Sequence, residues 1–487
     1  MAFFYVVWYY NIYPMKKKTF LYLTLLTLFV NSFTAKAIDA EPEWVKLAGA
    51  HDAPYKKTIF KVSAYGAIND GVTINTKTIQ KAIDACSSKG GGIVVFDPGK
   101  YLTGSLFLKE NVRLEIGAGV EILGSQHIED YPEIDTRVAG IEMKWPAALI
   151  NVIDKGSVAI TGQGIINAQG KTFWDKYWNM RKEYEPKGLR WVVDYDAKRP
   201  RTLLISESTN VTIRGITLQQ AGFWTVQVLY SKFVTVDGIV IRNNIDGHGP
   251  STDGVDIDSS SYVLVQNCDI DCNDDDFCLK AGRDADGLRV NRPTEYIVIR
   301  NSVSRAGAGL LTIGSETSGS IRHVLATNLV GNGTSNGLNI KSAITRGGTV
   351  EDIHFQNITM NGVGTAIQIT MNWNPSYSYS KLPDGYTMNN IPAHWKKLLA
   401  KVEPDKGIPH FQDVYISNVN VMGAKKAIYA EGMKEGALKD FHFSNVTIST
   451  ATAGEINFAN NWIAEKVNIT AQDGSKVSIK DSERVVL

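Results

Sequence analysis

Runs of about six β-prone residues recur along this chain, and each is too short to bury an apolar face by itself. Early members are Asn111-Val-Arg-Leu-Glu-Ile, Ser157-Val-Ala-Ile-Thr-Gly and Asn210-Val-Thr-Ile-Arg-Gly. Phe233-Val-Thr-Val-Asp-Gly, Tyr262-Val-Leu-Val-Gln-Asn and Tyr296-Ile-Val-Ile-Arg-Asn follow, then runs at Asp352, Asp413 and Lys439. Within each run β-branched or aromatic residues alternate with polar ones, the period of a half-buried strand. Phe233 lies 23 residues after Asn210, Tyr262 a further 29 on and Tyr296 a further 34, as expected for a coil of about 22 residues carrying loop insertions. Asn and Gly close many of the runs because a sharp turn needs residues that tolerate left-handed backbone angles. Stacking coil on coil buries the apolar faces. A β-sandwich would need hairpin signals between paired strands, and these are sparse.

The expected fold is therefore all-β, a right-handed parallel β-helix with an N-terminal capping helix and long loop insertions. Thr76 to Ser88 carries the helical pattern, with Ile79, Ala82, Ile83 and Cys86 at i, i+3, i+4 and i+7 before Gly90-Gly91-Gly92. A helix placed there covers the open end of a solenoid. A second helix is expected at 393–402, inside an insertion of residues 374–409 rich in Tyr, Pro and Trp. Ahead of these, Met15-Lys-Lys-Lys, the apolar run from Thr19 to Val30 and Ala35-Lys-Ala37 read as an export signal, starting at Met15 and cleaved after Ala37. That run is short of the roughly 20 residues that span a bilayer. The expected organisation is a leader over 1–37, an N-terminal segment over 38–60 and one catalytic domain over 61–487, in a secreted or periplasmic protein. The net charge of +1 offers no basic field for nucleic acid. Cys86, Cys268, Cys272 and Cys278 make neither a disulfide framework nor a CxxC metal site, and are expected as small buried core residues.

Nine aspartates fall between Asp246 and Asp276. Asp256 and Asp258 alternate with Val255 and Ile257, and Asp269 and Asp271 flank Ile270, so all four read as solvated strand faces. Asp253 differs. It precedes Asp274 and Asp275 by 21 and 22 residues, about one coil, which brings three carboxylates onto one face. Mutual repulsion there raises at least one pKa, a costly arrangement that suits acid–base chemistry.

Ser251-Thr-Asp253-Gly, Asn273-Asp-Asp275 and Leu279-Lys-Ala-Gly282 together resemble the signature of the polygalacturonase family of glycoside hydrolases, family 28. Ile313-Gly-Ser-Glu316 resembles the family's third motif and Asn339-Ile-Lys341 its Arg-Ile-Lys motif, and the resemblance extends over about residues 60–450. It implies inverting hydrolysis of a pectic polysaccharide with no cofactor or metal, on acid and base roughly 6.5–9.5 Å apart. Asp274 would protonate the glycosidic oxygen, and Asp253 and Asp275 would hold and activate water. Asp276 would be auxiliary.

Two departures carry information. Gly309 stands where the family's third motif has His, while His248 lies too early to replace it and reads as a loop histidine. Asn339 replaces the motif Arg, and an amide is no substitute for a guanidinium fork on a carboxylate. A neutral sugar such as rhamnose is thus expected on the leaving-group side, as in rhamnogalacturonan hydrolase-like members. The predicted bond is galacturonosyl-(1,2)-rhamnose in rhamnogalacturonan I. Polygalacturonase or exo-galacturonidase action on homogalacturonan is the alternative, ahead of a pectate lyase or a non-catalytic carbohydrate-binding helix. Lys341, Asn339, Glu316, Arg283, Trp373 and Tyr377 are the expected substrate contacts. Tyr379, Tyr386 and Trp395 either extend an aromatic wall or pack the insertion. Phe173, Trp174 and Trp178, with Arg181, Arg190 and Trp191, lie in an earlier long loop that borders the same groove. Nothing in the sequence bears on oligomeric state.

Overall fold

The recurrent runs stack as parallel strands, each paired with the equivalent run one coil away. The computed structural model describes residues 41–51 and 56–487, so the expected leader lies outside the described residues. Trp44–Leu487 form one unit. One face is built from Ile150–Ile153, Leu203–Ser206, Val226–Leu229, Val255–Asp258, Asp275–Lys280, Gly309–Ile313, Asn336–Lys341 and Thr365–Thr370, in parallel succession. Along it Val226, Val255, Phe277, Leu311, Leu338 and Ile367 fall in register and point into a core of Val, Ile, Leu and Phe that runs the length of the solenoid. The turns use left-handed Asn and Asp; Asn328 Nδ2 donates to Asn301 Oδ1 at 3.1 Å, and Asn445 to Asn418 at 2.8 Å.

Thr76–Ser88 is helical as expected, with Ile79, Ala82, Ile83 and Cys86 fully buried against the first coils. The second expected helix is shorter, Ala393–Leu398, and ends well before Pro404. A further helix, Lys171–Tyr184, was read as loop. Its buried face is aromatic (Phe173, Trp174, Tyr177) rather than an aliphatic stripe, which hid its period. The stretch 374–409 lies between strands Thr365–Thr370 and His410–Phe411. Cys86, Cys268 and Cys272 belong to the core, but Cys278 is buried outside it.

Asp256 and Asp258 correct the solvated-face reading. They point away from the solenoid core as their alternation requires, yet both are fully buried. The antiparallel hairpin Glu133–Val138/Ile141–Pro146 brings Arg137 over this face. Its Nη1 donates to Asp258 Oδ1 at 2.9 Å and to Ser259 Oγ at 2.7 Å. Half-exposed Asp269, by contrast, is a true surface residue, paired with Arg242 and Arg305. Removing one partner of the buried pair leaves an uncompensated charge. Asp258→Ala is therefore expected to lower stability by about 3–5 kcal/mol, measured by chemical denaturation.

Candidate active site

Two outward columns on the face described above set the site. Asp256, Cys278, Thr312 and Asn339 stack in one; Asp258, Lys280 and Lys341 belong to the next. Asp253 and Asp275 flank these columns on adjacent coils, with Gly254 N donating to Asp275 O at 3.0 Å. Oxygens of Asp253, Asp274 and Asp275 all lie within 4.8 Å of one another. The one-coil spacing does bring the three carboxylates together.

Their surroundings divide the protons unequally. Burial pushes Asp275 up, but Lys341 and Lys280 outweigh it and hold its carboxyl below its ordinary value. Lys341 Nζ donates to Oδ2 at 2.8 Å, and Thr312 Oγ1 to Oδ1 at 2.7 Å. Asp274 keeps one face open to the cleft and has no such side-chain donors; its Oδ1 accepts from the Asp275 backbone N–H at 3.0 Å. Burial first, then the neighbouring Asp253 and Asp275, raise it well above the carboxylate range. Asp253 is raised too, by burial and by Asp256, against Lys280. The surroundings thus favour charge on Asp275 and a proton on Asp274, with the titration shared among the three groups.

Beneath the trio, Lys280 was missed as a site residue. Its Nζ lies 3.5 Å from Asp253, 3.4 Å from Asp256, 3.8 Å from Glu316 and 3.0 Å from Cys278 Sγ. Burial lifts Asp256 to about 7 against the pull of this ammonium. Asp253, Asp256 and Cys278 also have ligand atoms within 4.8 Å of one another, but Lys280 already stands among all three. The strand alternation was the available signal: with Phe277 and Leu279 inward, Cys278 and Lys280 must face Asp256 and Asp258.

The other expected contacts separate. Trp373, Tyr377, Glu316 and Lys341 line the cleft, together with Trp224, Ser251, Arg190 and Asp194. Lys341 is committed to Asp275 and lies 4.6 Å from the Trp373 ring. Arg283 is not a cleft residue. It is fully buried, with Asp284, the Tyr195 hydroxyl and the carbonyls of Tyr377 and Ser378 as partners, so it anchors the insertion. Asn339, 2% exposed, donates to Thr312 Oγ1 at 3.2 Å and acts one step behind the cleft. Asp276 turns inward, accepting from Cys272 Sγ, and burial raises its carboxyl well above its ordinary value. His248 is an exposed loop residue near Asn244. Trp395 packs on Trp191 and Tyr386 rather than facing the cleft, and Tyr379 bonds Asn372.

Gly309 explains one departure from the motif. A Cβ there would come 2.4 Å from Thr312 Oγ1 and 2.8 Å from Asp275 Oδ1. The space a larger side chain would enter is occupied by the Thr312–Asp275 hydrogen bond.

The model of glycosyl hydrolases family 28 matches residues 108–437, and that of rhamnogalacturonase A/epimerase, pectate lyase-like, residues 59–126. A probable polygalacturonase of Vitis vinifera is 30% identical over 74% of this chain and 74% of its own length. An exo-poly-alpha-D-galacturonosidase of Dickeya chrysanthemi is 26% identical over 86% and 75% respectively. Among solved structures, a hyperthermoactive exopolygalacturonase from Thermotoga maritima superposes with TM-score 0.71 at 26% identity, over 87% of this chain and 94% of that one.

Thr312→Val removes a donor to the charged form of Asp275 while keeping the shape. Its carboxyl is expected to titrate about one pH unit higher than in the parent protein, followed by carboxyl-carbon NMR on aspartate-labelled protein.

Proposed function

The chain belongs to glycosyl hydrolases family 28, and from that premise we propose that it removes galacturonate residues from the ends of α-galacturonan chains. It is a glycoside hydrolase that acts on pectin. The observation that carries the mechanism is the asymmetry between Asp274 and Asp275. Asp274, open to the cleft on one side and raised by burial and by its neighbouring carboxylates, is poised to protonate the glycosidic oxygen. Asp275, held ionised by Lys341 and Thr312, is poised to accept a proton from water. Oxygens of the three carboxylates lie within 4.8 Å of one another, close enough to act on one attacking water. Attack by that water on the face opposite the leaving group inverts the anomeric carbon. Lys280 and Lys341 offset the negative charge that would otherwise draw protons onto all three carboxylates or push them apart.

Exo action is supported by the walls of the cleft. Arg190 and Asp194 come from the stretch containing Lys171–Tyr184, Trp373 and Tyr377 from the start of the later insertion. The two stretches are tied together: Asp196 accepts from Trp395 Nε1 at 3.0 Å and lies 2.6 Å from His394 Nε2, and Trp191 packs edge-on against Trp395 at 5.4 Å. A closed side favours a chain end over a chain middle, in line with the exo-acting relatives. The rhamnose reading rested on Asn339 in place of Arg, and it gives way to the galacturonan reading that the relatives favour.

Asp274→Asn is expected to lower kcat on oligogalacturonate by about 10²–10⁴-fold; a wild-type rate would remove it from the acid role. Homogalacturonan should yield reducing ends with little early loss of viscosity, without unsaturated products and in the presence of EDTA. Rapid thinning would contradict exo action, and turnover confined to rhamnogalacturonan I would reinstate rhamnose. Proton NMR of the first product should show the β-anomer; initial release of the α-anomer would replace water attack by a covalent intermediate on Asp275 or Asp253.

A further inference from the structure

Resting on the galacturonan reading, we infer that Arg190 binds the carboxylate of the galacturonate at the walled side of the cleft, a specificity contact that this chain draws from an insertion. Every sugar of the substrate carries a carboxylate, and burying one needs a positive partner with donors to spare. The cations lining the cleft, among the described residues, are Lys280, Lys341 and Arg190. The lysines have no surplus. Lys341 is paired with Asp275 at 2.8 Å, and Lys280 is shared by Asp253, Asp256 and Glu316.

Arg190 is differently placed. Its Nη1 donates to Asp194 Oδ2 at 2.8 Å, but Asp194 is also paired with buried Arg199 at 3.0 Å, so two guanidiniums share one carboxylate. Glu185 lies 3.7 Å from Nε and is itself engaged by Arg181 at 2.7 Å. No hydrogen-bond partner of Arg190 Nη2 occurs among the described residues. The guanidinium is fixed before substrate arrives, because it packs over the Tyr377 ring at 5.1 Å while Ser251 Oγ holds Asp194 at 3.0 Å. Tyr377 in turn meets Trp373 edge-on at 5.6 Å, and Trp373 carries Lys341. Arg190 is thereby connected to the catalytic carboxylates through two aromatic rings of the kind that line sugar sites. A fork held this way binds a carboxylate in bidentate fashion.

The test is a binding cycle by calorimetry on the full-length Asp274→Asn protein, with and without Arg190→Gln, using trigalacturonate and its methyl ester. Trigalacturonate should bind the Arg190→Gln protein about 10- to 100-fold more weakly. The ester should bind both proteins with similar affinity, so that the two losses are not additive. Arg190→Lys, which keeps the charge without the fork, should fall between. Equal losses on acid and ester, or none on either, overturn the assignment, and an unchanged Tm separates it from misfolding. A parent protein that binds trigalacturonate no better than the neutral trigalactose would sink the galacturonan reading itself, a result distinct from failure of Arg190 alone.

Discussion

In-register stacking of parallel coils is the constraint from which the rest of the molecule follows. Once Val255 pairs with Phe277 and Phe277 with Leu311, every outward residue is delivered a strand spacing from its counterpart. The core enforces this, since a slip by one residue would turn Phe277 and Leu279 outward and bury Cys278 and Lys280 among aliphatic side chains. The reactive columns are the reverse side of the same register. Rigidity at the site is thus inherited from the core rather than built separately.

Such a column concentrates charge. Asp253, Asp256, Asp274, Asp275 and Glu316 converge on a cleft served by two buried lysines. Full ionisation of all five would leave a large uncompensated negative charge in a poorly solvated place, so burial and mutual repulsion raise some of these carboxyls while the lysines lower others. Lys341 and Thr312 hold Asp275 low, while Asp274, without such side-chain donors, is raised. Asn339 and Gly309, which look like losses when set beside the family pattern, belong to this arrangement. The first holds Thr312, and the second leaves room for the Thr312–Asp275 bond.

The loops then convert an open solenoid face into a one-sided cleft. Arg283 pins the chain at Tyr377 and Ser378, Arg137 docks the hairpin on Asp258, and Asp196 joins the two long excursions. These polar ties are buried and specific, so they fix where Trp373, Tyr377 and Arg190 stand. They also explain why Arg283, a plausible substrate contact by its position next to a motif, is unavailable for that task.

The amino-acid sequence by itself determined the parallel solenoid, the capping helix and the meeting of Asp253 with Asp274 and Asp275. Each depends on a period, two within a strand, 3.6 within a helix and about 22 between coils, and periods survive in one dimension. Tertiary structure alone decided what the non-repeating parts do. Whether Asp256 and Asp258 meet water depends on a hairpin more than a hundred residues away. Whether Lys341 reaches substrate or Asp275, and whether Arg283 or Arg190 faces the cleft, depends on long-range contacts between insertions. An insertion has no period to read, and its side chains acquire their partners only when the coils bring distant segments together.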